Sequence, residues 1–284
     1  VLTYLKGDMF NSPAQVLVNT VNVVGVMGKG VALEFKSRYP DMFKQYQKIC
    51  EDKSLDIGKL FLWKKSDKWV LLFPTKKHWK NPSKLEFIQA GLEKFKTNWY
   101  KMGIESIAFP RLGCGNGGLD WNDVRPMMEQ YLKPLPIKIY IYVDNYGNMT
   151  PEHKQVTEME KWLKENPKLI GFEMLKEELL KALKKSNHIP LPDGTTGYVD
   201  WEKENISIRN GHSSIIKENE LCDFWDYVRD VGILETEKIP EQFQPYGYVM
   251  LEVLKLLDYL QPVIISNNGV DFNVNSNGYQ YIKD

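Results

Sequence analysis

Residues 18–36 read VNTVNVVGVMGKGVALEFK, and this stretch decides the fold. An apolar run at residues 16–20 has the look of a strand, and residues 31–39 carry apolar side chains at helical spacing. Between them stand Asn19 and Asn22, then Gly25, Gly28 and Gly30. Glycines let a backbone take positive φ and approach a ligand closely. Successive N–H groups running into a helix N-terminus make a site for an anion. No GK[ST] closes the loop, which excludes a P-loop nucleotidase. Taken alone, the segment serves equally as a tight strand-to-helix turn.

The same alternation continues outward. Residues 1–6, 104–109 and 137–143 read as strands, and residues 41–50, 84–99 and 121–132 as helices. Residues 60–63 and 69–73 flank the turn-like KKSDK as a hairpin. Strands alternating with helices predict an α/β sheet, with ligands beyond the carboxyl ends of its strands. A second glycine loop, FPRLGCGNGGLDW at residues 109–121, again follows a strand and precedes a helix. Two such loops in one domain could clasp a diphosphate from both sides. FPTKKHWKNPSKLEF, residues 73–87, delivers Thr75, Lys76 and Lys77 to the end of a third strand. Those lysines could be solvated, touch phosphate, or act as a nucleophile if an amine is desolvated. His78 and Trp79 read as packing residues, although Trp79 could stack on a base. Asp8, after Gly7, is either a helix N-cap or an acceptor for a purine amino group.

Composition narrows the classes. The chain has 284 residues, 43% hydrophobic and 26% charged, long enough for one large or two ordinary domains. No apolar run approaches a membrane span, and the opening VLTYLKGDMF lacks the pattern of a signal peptide. Three separated cysteines and four histidines form no CxxC, HxxxH or HExxH, so neither a disulfide framework nor a metal site is expected, and the cytosol is the expected compartment. The net charge is zero but unevenly spread. Residues 1–150 carry 22 basic and 14 acidic side chains, and residues 191–284 carry 7 and 16. A basic first half suits a polyanionic partner; an acidic second part repels or imitates one. The polar stretch 144–167 reads as a boundary, giving domains at 1–150 and 171–284 with a linker or helix at 151–170.

KGDMF, VNTVNVVGVMGKGVALEFK, FPTKKHW and PRLGCGNGGLDW, in that order, resemble a macrodomain over about residues 1–145. The branch most similar holds the DarG antitoxins and the terminal ADP-ribose glycohydrolase of animals. The resemblance implies a mixed sheet sandwiched between helices, with an ADP-ribose pocket. In it Asp8 would bind the adenine amino group with Met9 beside it, and Thr20 and Asn22 would face the distal ribose. Gly28, Lys29, Gly30 and Val31, with Leu112, Gly113, Cys114, Gly115 and Asn116, would wrap the diphosphate and distal ribose. Asn19 and Thr75 complete the expected binding set. Lys76 matches the catalytic lysine of the branch, with Asn22 positioning the ribose. The animal enzyme carries an acid two positions after its GCG, where this chain has Gly117. That departure favours the DarG side and places the chemistry on Lys76.

What the resemblance implies is an antitoxin: a glycohydrolase that removes ADP-ribose from thymidine bases in DNA, the mark written by a DarT-type toxin. The expected partners are ADP-ribosylated single-stranded DNA and that toxin, with no cofactor, no metal and no membrane. The region 171–284 is expected to be a smaller α+β domain that binds the toxin. Within ENELCDFWDYVRD, residues 218–230, Asp223, Asp226 and Asp230 fall at helical spacing with Trp225 among them. Such a face could imitate DNA, or be an ordinary amphipathic helix with Trp225 and Val228 in the core. Two other functions stay open: a reader that binds ADP-ribose without hydrolysis, and an adaptor whose acidic domain binds a basic protein.

Overall fold

The computed structural model describes residues 1–66, 68–143, 150–165, 170–211, 213–265 and 276–281. The chain divides into two units, Val1–Leu163 and Lys164–Asp284. Of the stretch read as a boundary, residues 144–149 and 166–169 lie outside the described residues, while residues 151–163 belong to the first unit.

The first unit is built on strands β1 (Leu2–Leu5), β2 (Val16–Asn22), β3 (Phe61–Lys64), β4 (Trp69–Lys76), β5 (Ser106–Pro110) and β6 (Lys138–Tyr142). They lie in the order β1-β6-β5-β2-β4-β3. Every neighbouring pair is parallel except β3 and β4, the hairpin, so the sheet is mixed. Its helices are α1 (Gly30–Arg38), α2 (Pro40–Glu51), α3 (Leu85–Met102) and α4 (Trp121–Leu132), with α5 (Val156–Glu165) after them. Local chemistry sets the ends: Pro40 occupies the first turn of α2, Asp120 caps α4 by accepting from Asn122 N–H, and Gly103 ends α3 at φ 74°.

Ile88, Leu92 and Phe95 recur at i, i+4 and i+7 on α3, and all three are fully buried. With Val124, Met128 and Leu132 of α4 they pack on Val16, Val18, Leu71, Phe73, Ile107 and Phe109 of the central strands. Leu17, Leu72 and Ala108 alternate with those strand residues and are also buried, as expected for a parallel sheet covered on both faces. One consequence governs function: β2, β4 and β5 run parallel, so their carboxyl ends meet at one edge, where Asn22 pairs in register with Lys76.

Among the described residues, the second unit holds α6 (Phe172–Lys185), α7 (Glu218–Val231) and α8 (Gly247–Leu254) with short strands β7 (His188–Pro190), β8 (Thr196–Glu202), β9 (Asn205–Arg209), β10 (Ser213–Lys217), β11 (Ile233–Glu235), β12 (Leu260–Ile265) and β13 (Ser276–Tyr281). The strands form antiparallel sheets, β10-β9-β8-β7 and β11-β13-β12. Helix α8 stops at Leu254, and LQPVII, residues 260–265, pairs with β13 as a strand. Its β-branched run fits a pleated surface better than a helix.

Of the residues expected on the acidic face of α7, Trp225 lies in the core instead. Leu221, Phe224, Trp225 and Val228 form the buried side of the helix, and Trp225 is fully buried with its indole N–H donating 3.2 Å to the Ile170 carbonyl oxygen. Asp226 is half-buried and ion-paired with Arg229, leaving Asp223 and Asp230 exposed. Positions i, i+3, i+4 and i+7 of this helix are taken by the core. Trp225→Ala is expected to cost the second unit about 3–5 kcal/mol, the usual loss for a buried aromatic. Chemical denaturation measures it; a loss below about 1 kcal/mol contradicts this packing.

Candidate functional site

The edge where β2 and β4 end carries the site. Lys76, last residue of β4, has a side chain only 5% exposed. Its Nζ lies 3.1 Å from Glu152 Oε2 and 3.3 Å from the Trp79 carbonyl oxygen. Burial lowers the Lys76 pKa, and Glu152 opposes that shift. Burial likewise raises the Glu152 carboxyl, with Lys76 opposing. A desolvated lysine brought toward neutrality is what a nucleophilic amine requires. Thr75 beside it is buried. Trp79 is fully buried, so it packs and does not stack on a base.

Asn22, at the end of β2, is buried and engaged in shaping the first glycine loop. Its Nδ2 donates 2.7 Å to the Val26 carbonyl, and its Oδ1 accepts from Val24 N–H at 3.1 Å and Val26 N–H at 3.3 Å. The Tyr46 hydroxyl of α2 stands 2.8 Å from the Asn22 carbonyl oxygen and 3.0 Å from Oδ1. The side chain therefore fixes the turn that leads to Gly28. Asn19 is fully buried; its amide nitrogen lies 3.7 Å from Met27 Sδ, and its Oδ1 has no partner among the described residues. Thr20 is half-buried between these asparagines. Lys29 is the N-cap of α1, and Gly30, at φ 60°, opens the helix ahead of Val31. The N-terminal amides of α1 thus follow the loop directly, the arrangement an anion favours.

The second loop follows β5. Leu112 is fully buried, and Gly113 and Gly118 take φ of 70° and 77°. Leu119 N–H closes on the Gly113 carbonyl at 3.0 Å, and Ser83 N–H on the Gly117 carbonyl at 2.9 Å. Burial pushes the Cys114 thiol up to about 12, so it stays protonated, and its Sγ lies 3.4 Å from the Leu112 carbonyl. Gly115 borders open space, and the buried Asn116 Oδ1 lacks a partner among the described residues. Near the amino end of the unit, Asp8 caps the single turn Met9–Asn11 by accepting from Phe10 N–H at 2.9 Å, and Met9 is fully buried beneath it. Arg38 of α1 reaches within 4.0 Å of Asp8 and stacks over the Phe10 ring.

Residues 18–128 match the family model described as the macro domain. The first unit is a macrodomain. Its likeness to the solved macrodomain of Mycobacterium tuberculosis DarG has a TM-score of 0.50 at 46% identity, covering 51% of this chain and 99% of that one. A curated relative from M. tuberculosis, named DNA ADP-ribosyl glycohydrolase, is 45% identical over 157 residues, 54% of this chain and 45% of the relative. Thermosipho africanus DarTG solved with ADP-ribose matches the macrodomain with a TM-score of 0.50 at 42% identity, over 52% of this chain and 43% of that one. The chain thus spans less than half the length of these curated relatives.

The macrodomain unites two of the expected sets. Asn22 and Lys76 meet at adjoining strand ends, and both glycine loops follow carboxyl ends of the parallel strands. What the sequence reading missed comes from farther away: Tyr46, Ser83 and above all Glu152. No helix in the described residues is long and apolar enough to cross a membrane.

Proposed function

We propose that this chain is a DNA ADP-ribosyl glycohydrolase of the DarG type, cutting the N-glycosidic bond between ADP-ribose and a thymidine base. The observation that carries the reading is Lys76: a buried lysine at the carboxyl end of β4, level with Asn22, where the two glycine loops also arise. The Lys76 amine attacks the anomeric carbon of the distal ribose, the glycosidic electron pair leaves on the base nitrogen, and water then releases the ribose from the lysine. The loop amides and the N-terminus of α1 hold the diphosphate. The relatives' names supply DNA as the substrate class, and the basic balance of residues 1–150 agrees with it. The test is mass spectrometry of a thymidine-ADP-ribosylated single-stranded oligonucleotide incubated with the full chain. Loss of the ADP-ribose mass is the expected result; tight ADP-ribose binding without loss would make the protein a reader.

The second unit is proposed to bind the cognate toxin. A Thermosipho africanus relative named as a transferase–glycohydrolase fusion carries both activities in one chain, which supports a toxin as partner. The acidic surface most suited to it is a cavity of about 470 Å³ bordered by Glu220, Asp223, Tyr227 and Tyr246. Carboxylates among tyrosine rings suit a cationic side chain. The double change Glu220→Gln with Asp223→Asn is expected to weaken toxin binding about tenfold by calorimetry. Glutamine still accepts from Lys217 N–H as Glu220 does, so α7 keeps its start. Unchanged affinity removes this cavity from the interface.

A further inference from the structure

The segment 151–163 does more than follow the macrodomain. Its side chains meet Lys76, Lys29 and both glycine loops. Glu152 brings its carboxylate to Lys76, and its side chain is only 8% exposed. Gln155 Oε1 accepts from Lys29 Nζ at 3.0 Å. Lys80 Nζ stands 2.9 Å from Glu160. His153 Cε1 would come within 3.0 Å of a Cβ at Gly118. A Cβ at Gly28 would overlap Met159 Cε, and Trp162 Cζ3 would lie 3.0 Å away. Gly28 and Gly118 belong to the two loops expected to wrap the diphosphate. Both therefore meet side chains of one short segment.

The chemistry of the covering follows that of the ligand. Oxygen acceptors meet the lysines Lys76, Lys29 and Lys80, and apolar side chains fill the space against the loop backbone. Met159 and Leu163 are buried at i and i+4 of α5, giving the segment an apolar face. A buried lysine with no partner carries a large desolvation cost, and Glu152 supplies the partner while the pocket holds no substrate. ADP-ribose cannot enter the space between Gly28 and Lys76 with Glu152, Met159 and Trp162 in it.

The geometry points to residues 151–163 as an intramolecular competitor of ADP-ribose, a strap that fills the pocket at rest and leaves when the ligand enters. This deepens the proposed function and rests on it. Binding then proceeds only from the fraction of molecules with the strap released, so the apparent affinity is lower than the intrinsic one by that fraction. The strap also competes with retained product.

The test uses the full chain and ADP-ribose itself. Calorimetry compares the wild type with the double change Met159→Ala, Trp162→Ala, and separately with Glu152→Gln. Both variants are expected to bind ADP-ribose about tenfold more tightly, or more, than the wild type. Hydrogen exchange in the wild type is the second readout, because it does not depend on any variant folding. Saturating ADP-ribose is expected to speed exchange of the amides in 151–163 as the strap leaves. Affinity unchanged or weakened in both variants, or exchange slowed by ligand as for a closing lid, overturns the strap. If ADP-ribose binds to none of the proteins, the pocket assignment itself fails. If it binds but the strap variants do not differ from the wild type, only the strap fails.

Discussion

Lys76→Ala is expected to lower the release of ADP-ribose from a thymidine-modified oligonucleotide by about 10³-fold or more, a loss of about 4 kcal/mol in transition-state stabilisation. ADP-ribose itself should bind the variant as tightly as the wild type, or more tightly. The second expectation follows from Glu152: with the ammonium gone, a carboxylate buried at the pocket floor has lost its ion pair, and the strap it anchors is weakened. Chemistry thus falls while binding holds or tightens, which a simple loss of folding cannot produce. Lys76→Arg separates the remaining alternatives. Arginine keeps a fixed positive charge but offers no neutral amine. A nucleophilic role predicts that arginine is as inactive as alanine; restored turnover would assign Lys76 an electrostatic role. The pH dependence carries the same distinction. Burial lowers the Lys76 pKa, so kcat/KM should rise with pH as the ammonium deprotonates and level off below the ordinary lysine range.

Much of the first unit was legible because its signals are local. Apolar alternation marked the strands, the 3.6-residue period marked α3 and α4, and glycines marked the loops that the parallel strands bring to one edge. Lys76 came from the order of four motifs, and its burial was not readable from them. Two kinds of information were hidden. One is competition for a residue: Asn22 has the right place to touch a ribose, but Val24, Val26 and Tyr46 claim its amide, and Trp225 is drawn from an acidic surface into a core. The other is distance along the chain. Glu152 meets Lys76 across 76 residues. The polar stretch around it gives no sign of its docking place, because helical spacing in Met159 and Leu163 states that a face must be buried and not against what. The acidic second part shows the same limit, since composition named its charge and not its partner.

Gly117→Asp should fail as a restoration of the acid found in the animal enzyme. Replacing this glycine would seem to supply the general acid that the loop lacks. The space does not exist. A Cβ at Gly117 would overlap the Gly113 carbonyl oxygen and the Ser83 hydroxyl, and would lie 2.8 Å from Ser83 Cβ. The Gly113 carbonyl oxygen is held by Leu119 N–H, and the Ser83 backbone that carries the Cβ is held by its N–H donating to the Gly117 carbonyl. Neither is the free end of a flexible side chain, so the loop must open to admit any side chain. Even Gly117→Ala is therefore expected to weaken ADP-ribose binding about tenfold or more and to lower the thermal midpoint, an overpacking cost of about 1–3 kcal/mol. Gly117→Asp adds a carboxylate beside the site of a diphosphate and should weaken binding further. Ser83→Gly in the Gly117→Ala background removes both the hydroxyl and the Cβ from the clash and should recover part of the binding. If Gly117→Asp instead raised turnover with affinity intact, the loop would be more yielding than its hydrogen bonds imply, and Lys76 would not be working without an acid by structural necessity. The lack of space for an acid here is a packing consequence of how Ser83 closes the loop.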